Sequence, residues 1–208
     1  MTIHLQYGSV IVRDWQANDL KHFRYWLQPH HQWHETDGPY EPAPTPEQIE
    51  GQIARAHTIV ESGDPPSPRR RLVIATTDVG RTDAAQQNVT SQDTMVGTVS
   101  MYWEQQASLS LNLGIAIFDP THWGQGIGYA ALGLWTQYLF DELPQIVRLG
   151  LRTWSGNVGM VRLAEKLGFQ EEMRLRQARI VKGNYFDAMG YGVLRTDWTA
   201  QYPNGFAG

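Results

Sequence analysis

Apolar residues recur along this chain with two periods, and together these periods predict a mixed α/β order of elements. Alternation and β-branched runs indicate strands, whereas apolar spacing of three and four residues indicates helices. The predicted strands lie at residues 9–15, 72–75, 95–103, 108–118, 146–154, 169–176 and 185–194. The predicted helices lie at residues 19–27, 45–60, 128–138 and 157–167. Residues 77–94 are polar and lack periodicity, and we predict a long, mobile connection there.

Helix boundaries are predicted from residues that satisfy free backbone groups. We expect Asp19 to be the N-cap of the first helix. Thr45 and Gln48 have the spacing of a capping box around the start of the second helix. Asn157 should cap the last predicted helix, and Gly168 should end it in the left-handed conformation.

The turn before the third predicted helix is the segment most suited to chemistry. Gly124, Gly126 and Gly128 lie between a strand and this helix, where backbone N–H groups can turn inward beside the positive end of the helix dipole. Such a turn can hold a pyrophosphate, because glycines leave room for close approach. A plain structural turn explains the glycines equally well. The Rossmann and Walker interpretations fit poorly, because no acidic residue ends the next strand near Thr153 and no Lys-Ser/Thr pair follows the glycines.

Composition and charge restrict the class of protein. A chain of 208 residues with 41% hydrophobic content predicts one domain over residues 1–208. The chain has no cysteine, which excludes disulfides, thiolate metal sites and cysteine nucleophiles. A formal net charge of -4 argues against a nucleic-acid partner. No apolar run approaches about 20 residues and the first residues are not a signal peptide, so we expect no membrane partner and a cytoplasmic location.

The glycine turn and a second block downstream together resemble the GNAT acetyltransferase superfamily. Trp123 precedes the glycines where many GNAT proteins have Gln or Arg, a feature of the branch that includes the ribosomal-protein N-terminal acetyltransferases. Asn157 and the run Ala-Glu-Lys-Leu-Gly-Phe at 164–169 follow at the family's separation. The similarity is strong over residues 109–198 and weak over 28–94.

This resemblance implies a fold and a co-substrate. The implied fold is the acyl-CoA N-acyltransferase fold: a twisted, mostly antiparallel sheet of about six or seven strands, splayed between the fourth and fifth, with about four flanking helices. Acetyl-CoA would be held in that gap, without a metal. The residues carried over to CoA binding are Ile117, Phe118, Trp123, Gly124, Gln125, Gly126, Ile127, Gly128, Tyr129 and Asn157. Arg162 or Lys166 would reach the adenosine phosphate, unless they are only solvated helix charges.

The same resemblance leaves the acid and the base of the reaction unassigned. The family's usual positions are occupied here by Asn112, Ala130, Met160 and Ala164. Three interpretations remain: an amine of low pKa that needs little help, other side chains, or a slow CoA-binding or regulatory module. A peptide N-terminus has a pKa of about 7.7–8.0 against about 10.4 for lysine, which suits the first. The candidate side chains are His34, Glu35, Tyr40, Tyr102 and Glu104, with Asn157 to orient or polarise the thioester.

The acceptor is expected to be a primary amine, either a peptide N-terminus or a small amine, and the protein a monomer or homodimer. Trp26, Trp33 and Tyr40 either line the acceptor pocket or pack beneath the loop. His30, His31 and His34 resemble a metal cluster, but exposure is the preferred interpretation and no metal is predicted. Arg69 to Arg71 are interpreted as a solvated strand start. A nucleotide-binding oxidoreductase is the most distant alternative.

Overall fold

An eight-stranded sheet forms the centre of the computed structural model, which describes residues 2–63, 65–77 and 93–208. The strands are β1 (His4–Tyr7), β2 (Val10–Arg13), β3 (Arg71–Thr76), β4 (Thr94–Gln105), β5 (Ser110–Ile117), β6 (Arg148–Trp154), β7 (Gln170–Val181) and β8 (Asn184–Leu194). The helices are α1 (Asp19–Trp26), α2 (Pro46–Ser62), α3 (Ile127–Glu142), α4 (Val158–Lys166) and α5 (Arg195–Gln201). Across the sheet the order is β1-β2-β3-β4-β5-β6-β8-β7. Most of the predicted connection at 77–94 lies outside the described residues.

The predicted mixed α/β fold is confirmed, with one strand and one helix more than expected in the described ranges. The additional strand, β1, is mostly exposed and pairs antiparallel with β2. The two strands are joined by a short turn that begins at Gly8, whose φ is +59°. β1 has no apolar alternation because neither of its faces is well buried, so the sequence pattern could not reveal it. The predicted fourth and fifth strands are therefore β5 and β6.

The predicted cap of α1 is wrong, because Asn18 occupies the N-cap position and Asp19 is the first helical residue. The carboxylate of Asp19 is buried and accepts two hydrogen bonds from the Arg13 guanidinium, at 2.8 and 3.1 Å. It also accepts the N–H of Gln16 at 2.7 Å. Arg13 makes a second ion pair with Asp93, at the start of β4, at 2.8 Å. Asp19 is therefore part of an ion-pair network that joins β2, α1 and β4.

The other predicted helix boundaries are confirmed. The Thr45 hydroxyl accepts the Gln48 N–H, and the Gln48 side chain accepts the Thr45 N–H at 2.9 Å, which completes the capping box. Asn157 Oδ1 accepts the Met160 N–H at 3.0 Å at the start of α4. Gly168 follows α4 with a φ of +86°, the left-handed conformation expected at a helix C-terminus. These boundaries follow from local sequence, so they could be predicted without the rest of the fold.

Helices cover both faces of the sheet. α3 lies on one face, where the Trp135 side chain is fully buried and its indole N–H donates to the Ser100 carbonyl at 2.9 Å. α1 and α2 cover the other face with Phe23, Ile49 and Ile53. Burying such a side chain fully contributes about 1.5–3 kcal/mol. None of the helices in the described ranges is long and apolar enough to cross a bilayer.

The sheet opens between β5 and β6, as the resemblance implied. These two strands are parallel, whereas every other neighbouring pair is antiparallel. Their ladder joins only Leu111–Leu113 to Leu149–Leu151 in the described structure. Beyond it, β5 continues to Ile117 and β6 to Trp154, and β5 remains paired with β4 on its other edge. The carboxyl ends of the two parallel strands therefore border a gap, where a ligand can enter between them.

Candidate active site

The glycine-rich turn lies at the open end of β5. A short 3-10 helix, Pro120–His122, follows β5, and α3 begins at Ile127. Gly124 and Gly126 have φ values of +74° and +83°, in the region that side chains disfavour. A Cβ added at either glycine would meet nothing within 4 Å. The turn therefore faces open space, which a ligand can approach closely.

The backbone amides of this turn are free of protein acceptors. Throughout the described chain, no protein oxygen accepts the N–H groups of residues 124–129, and Gly126 caps α3 without a side-chain hydrogen bond. The turn itself is held in place, because the Trp123 indole donates to the Ile117 carbonyl at 2.9 Å. Free N–H groups and the positive end of a helix dipole together favour an anion. The turn can therefore bind a diphosphate.

A cavity of about 420 Å³, the loop cavity, runs from this turn into the gap between β5 and β6. Of the residues predicted to bind CoA, it is lined by Ile117, Trp123, Gly124, Gly126, Gly128, Tyr129 and Asn157. Phe118, Gln125 and Ile127 do not line it. Phe118 is buried beneath α1 and its N–H donates to the Val96 carbonyl at 2.9 Å. Ile127 is buried against the core around α3.

The backbone of β5 offers hydrogen bonds to the gap at alternate residues. In an antiparallel pair, the N–H and C=O groups of one residue point to the partner strand and those of the next point away. Because the Phe118 N–H bonds to β4, the same alternation directs Ala116 and Gly114 toward β4. Ile115 and Ile117 then face the gap. Of the two residues predicted to pair with the pantetheine arm, Ile117 has this orientation and Phe118 does not.

Two cations of α4 line the loop cavity. Arg162 and Lys166 line it, on the exposed face of α4. The Lys166 ammonium lies 4.7 Å from the centre of the Tyr129 ring. Neither cation makes an ion pair within the residues that the structure describes. Both are therefore available to a phosphate.

The loop between α1 and α2 is fastened to the head of α4. The Thr36 carbonyl accepts the Trp154 indole N–H at 3.1 Å and the Asn157 Nδ2–H at 3.0 Å. Because Asn157 Oδ1 caps α4, both ends of this amide are engaged within the protein. Asn157 thus ties the loop to the wall of the gap and fixes the residue after Thr36, Asp37, beside it.

Asp37 is the residue that the sequence analysis missed. It lines the loop cavity and three smaller cavities, two of which also share Ile115 of β5 with the loop cavity. The helix-side cavity, of about 290 Å³, lies beneath α1 and α2 and includes Phe23, His34 and Arg71. The gap cavity, of about 230 Å³, lies between β5 and β6 and includes Tyr102. The Asp37 carboxylate has no hydrogen bond or ion pair among the described residues, although it borders all of these cavities.

Asp37 remains exposed to solvent, yet desolvation by the surrounding protein raises the pKa of its carboxyl, and Arg71 and a protonated His34 oppose that rise. His34 lines the helix-side cavity, and its Nε2 is within hydrogen-bond distance of the Gln28 carbonyl, at 3.1 Å. Burial lowers the pKa of His34, so its imidazole is neutral near pH 7. With Nε2–H donated to Gln28, Nδ1 is left as an acceptor. Asp37 and His34 can therefore both accept a proton from a ligand in this cavity.

Of the other side chains proposed from the sequence as acid or base, some line a cavity and others do not. Tyr102 and Tyr40 line the gap cavity, and burial raises the pKa of Tyr102. Glu104 forms an ion pair with Arg152 at a bulge of β4 and lines none of the cavities that Asp37 borders. Glu35 pairs with Lys182 on the surface, at 3.0 Å.

The residues at the family's acid and base positions cannot transfer protons here. Asn112, Ala130 and Ala164 are buried, and Met160 lines the gap cavity with an apolar side chain. This agrees with the sequence, which lacks a titratable side chain at each of these four positions.

Two aromatic residues near the loop between α1 and α2 take different roles of the two expected: one lines cavities and the other packs beneath the loop. Trp33 lines the helix-side and loop cavities, and its indole donates to the Trp26 carbonyl at 2.7 Å. Trp26 stacks on Phe118 beneath the loop. The expected exposure is wrong for His31, which is buried with its Nε2 2.8 Å from the Tyr25 carbonyl. In the described ranges, no three metal-ligating side chains form a group that could hold an ion.

The chain is similar in sequence to an acetyltransferase family and to uncharacterized and probable N-acetyltransferases. A family model described as an acetyltransferase (GNAT) domain matches residues 9–170. The SPbeta prophage-derived uncharacterized N-acetyltransferase YokL of Bacillus subtilis (strain 168) is 27% identical over 110 residues, which cover 53% of this chain and 61% of that protein. The probable N-acetyltransferase YjcK of the same organism is 30% identical over 107 residues, 51% of this chain and 59% of that protein. The chain thus spans less than two thirds of each relative's length.

Solved structures share the fold. Spermidine N-acetyltransferase from Vibrio cholerae, in complex with CoA and spermine, superposes with a TM-score of 0.67 at 17% sequence identity. The superposition covers 92% of this chain and 99% of that one. At this identity the similarity concerns the fold alone.

Proposed function

This chain belongs to the GNAT acetyltransferase family, and we propose that it transfers an acetyl group from acetyl-CoA to a primary amine. The observation that carries the proposal is the free backbone donors at residues 124–129, which face a cavity that continues into the gap. The diphosphate of CoA would bind these donors, with Arg162 and Lys166 near its adenosine phosphate. The pantetheine arm would follow β5, where Ile115 and Ile117 face it. The residues present therefore fit the co-substrate.

In the proposed reaction the amine nitrogen attacks the thioester carbonyl directly. An acceptor that binds as an ammonium first loses one proton, and the neutral amine is the nucleophile. The N–C bond forms and the C–S bond breaks, and CoA leaves as a thiolate that takes one proton. The nitrogen loses a second proton, which replaces the one given to the thiolate, so one proton is released overall. Asp37 borders every cavity in which the amine could lie, so we assign it the role of holding the ammonium and accepting its proton. Burial raises the pKa of Tyr102, which keeps its phenol protonated and able to donate to the thiolate. His34 is the second candidate for the base.

Free thiol released from acetyl-CoA tests this function directly. We expect turnover with at least one member of a panel containing a peptide with a free N-terminus, a polyamine, free amino acids and simple amines. The peptide is included because Trp123 before the glycines is a feature shared with the branch that includes the ribosomal-protein N-terminal acetyltransferases. An N-acetylated copy of the peptide is the control and should release no thiol. CoA binding without turnover on the whole panel would favour the alternative, a slow CoA-binding or regulatory module.

Replacing Asn157 should lower turnover more than stability. Asn157→Ala removes the cap of α4, which costs roughly 1 kcal/mol, and releases the Thr36 carbonyl that positions Asp37. We expect kcat/KM to fall about 10-fold or more, since small misplacements of catalytic groups are costly. Asn157→Ser is the matched variant, because serine can cap the helix but cannot reach Thr36 with an amide. If Asn157→Ser restores full turnover, Asn157 serves only as a cap.

A further inference from the structure

The helix-side cavity contains a guanidinium without a carboxylate partner. Arg71, at the start of β3, donates to the Gln52 side chain at 3.2 Å and lies 5.8 Å from the centre of the Phe23 ring. No carboxylate of the described residues lies within ion-pair distance of it. The two fully buried arginines of the described residues are paired, Arg13 with Asp19 at 2.8 Å and Arg69 with Asp14 at 2.7 Å, whereas the half-buried Arg195 donates to backbone carbonyls. The expected solvated strand start is therefore wrong for Arg69, and Arg71 differs from the two buried arginines because it has no carboxylate partner.

Arg71 is half-buried, and desolvation penalises a cation that has no partner. Burial lowers the pKa of Arg71, although a guanidinium still keeps its charge at any physiological pH. Asp37 lines the same cavity with a carboxylate that is also unpaired in the described structure. The two opposite charges thus face one cavity without contacting each other. A ligand that carries both an ammonium and a carboxylate would satisfy both.

The positions of the two charges decide which end of the ligand reacts. The helix-side and loop cavities share Trp33, Asp37, Ile115 and Ala116, so they meet at Asp37. Arg71 lines the helix-side cavity and not the loop cavity. An ammonium at Asp37 would therefore lie next to the thioester, and a carboxylate at Arg71 would lie away from it. A polyamine would bring a second cation toward Arg71, which repels it.

The remaining wall of the helix-side cavity is mixed. Its apolar part is formed by Phe23, Leu27, Trp33 and Phe118, and its polar part by His34, Gln52, Thr98 and Ser100. A volume of about 290 Å³ is close to the lower limit of about 300 Å³ for ligand pockets, so it suits a small molecule better than an extended chain. We propose that the acceptor is a free α-amino acid, with its ammonium at Asp37 and its carboxylate at Arg71. This inference rests on the proposed acetyl transfer and narrows its acceptor.

Matched pairs of acceptors test the carboxylate contact. Leucine and isoamylamine, or phenylalanine and phenethylamine, differ only in the carboxylate. We expect kcat/KM for the amino acid to exceed that for the amine by about 10- to 100-fold, the usual strength of hydrogen bonds to a charged group. Arg71→Met should remove this preference by lowering only the amino-acid value, and Arg71→Lys should restore part of it. Arg55→Met is the control, because Arg55 is an exposed cation nearby that does not line the helix-side cavity.

Two results would overturn the inference while leaving acetyl transfer intact. One is a kcat/KM for the matched amine, a peptide or a polyamine that equals the kcat/KM for leucine or phenylalanine. The other is an Arg71→Met variant, folded by thermal unfolding, that loses activity equally with both members of a pair. If CoA binds but no acceptor reacts, the proposed function fails instead. Calorimetric titration of leucine into the CoA complex then decides the inference separately: binding that Arg71→Met weakens supports it, and the absence of binding contradicts it.

Discussion

Replacing Gly126 with glutamate should abolish CoA binding and leave the protein folded. Gly126 stands between the turn and α3 with a φ of +83°, and the space in front of it is open. A glutamate there puts a carboxylate where the diphosphate must approach the free N–H groups. We expect CoA affinity to fall at least about 100-fold, which corresponds to about 2.7 kcal/mol. Calorimetric titration with CoA measures the loss, and thermal unfolding reports whether the fold survives.

Gly126→Ala separates the effect of charge from that of backbone strain. Both substitutions force a Cβ into the left-handed region, at a cost of about 1–2 kcal/mol. A methyl group at this position would meet no neighbouring atom within 4 Å. Alanine should therefore destabilise the turn while retaining much more CoA affinity than glutamate. Equal and normal CoA affinity in both variants would show that the diphosphate does not bind at this turn.

Asp19→Asn should lower the free energy of unfolding by about 3 kcal/mol. The side chains of Arg13 and Asp19 are only 5% and 4% exposed, so asparagine would leave a buried guanidinium with half of its partners. Breaking a buried ion pair in this way costs about 3–5 kcal/mol, and the remaining contact of Arg13 with Asp93 keeps the loss near the lower limit. Urea denaturation at neutral pH measures the change.

The size of this loss distinguishes a buried ion pair from a helix-end effect. A carboxylate that only complements the helix dipole contributes about 0.3–1 kcal/mol. Glu50→Gln is the matched control, since the Arg24–Glu50 pair also involves α1 but its side chains are 53% and 56% exposed. It should cost less than about 1 kcal/mol. A similar small loss for Asp19→Asn would mean that the network does not hold β2, α1 and β4 together.

The parts of this protein that could be predicted from sequence are those that local chemistry determines. The capping box at Thr45 depends on residues three positions apart. The turn around Gly126 is recognisable because only glycine tolerates its backbone conformation. For both, the information lies within a few residues of the structure it specifies, so neither needed the tertiary fold.

The parts that could not be predicted depend on distant partners. Asp19 has the sequence context of a cap, but Arg13 reaches it from another strand and changes its role. Asp37 is one polar residue in a loop rich in polar residues, and nothing local distinguishes it from Glu35. Its position depends on the contacts of Thr36 with residues more than a hundred positions away. Arg71 likewise stands out only when its lack of a carboxylate is seen in three dimensions.

The double hydrogen bond at the Thr36 carbonyl has a consequence for how the two substrates bind. The Asn157 side chain caps α4, beside the proposed site of the acyl donor. The same side chain also binds the loop that carries Asp37, through the Thr36 carbonyl. We therefore expect a movement of α4 when one substrate binds to change the position of Asp37 as well. Such linkage is reciprocal by thermodynamic necessity, so the factor by which CoA changes acceptor affinity equals the factor by which the acceptor changes CoA affinity.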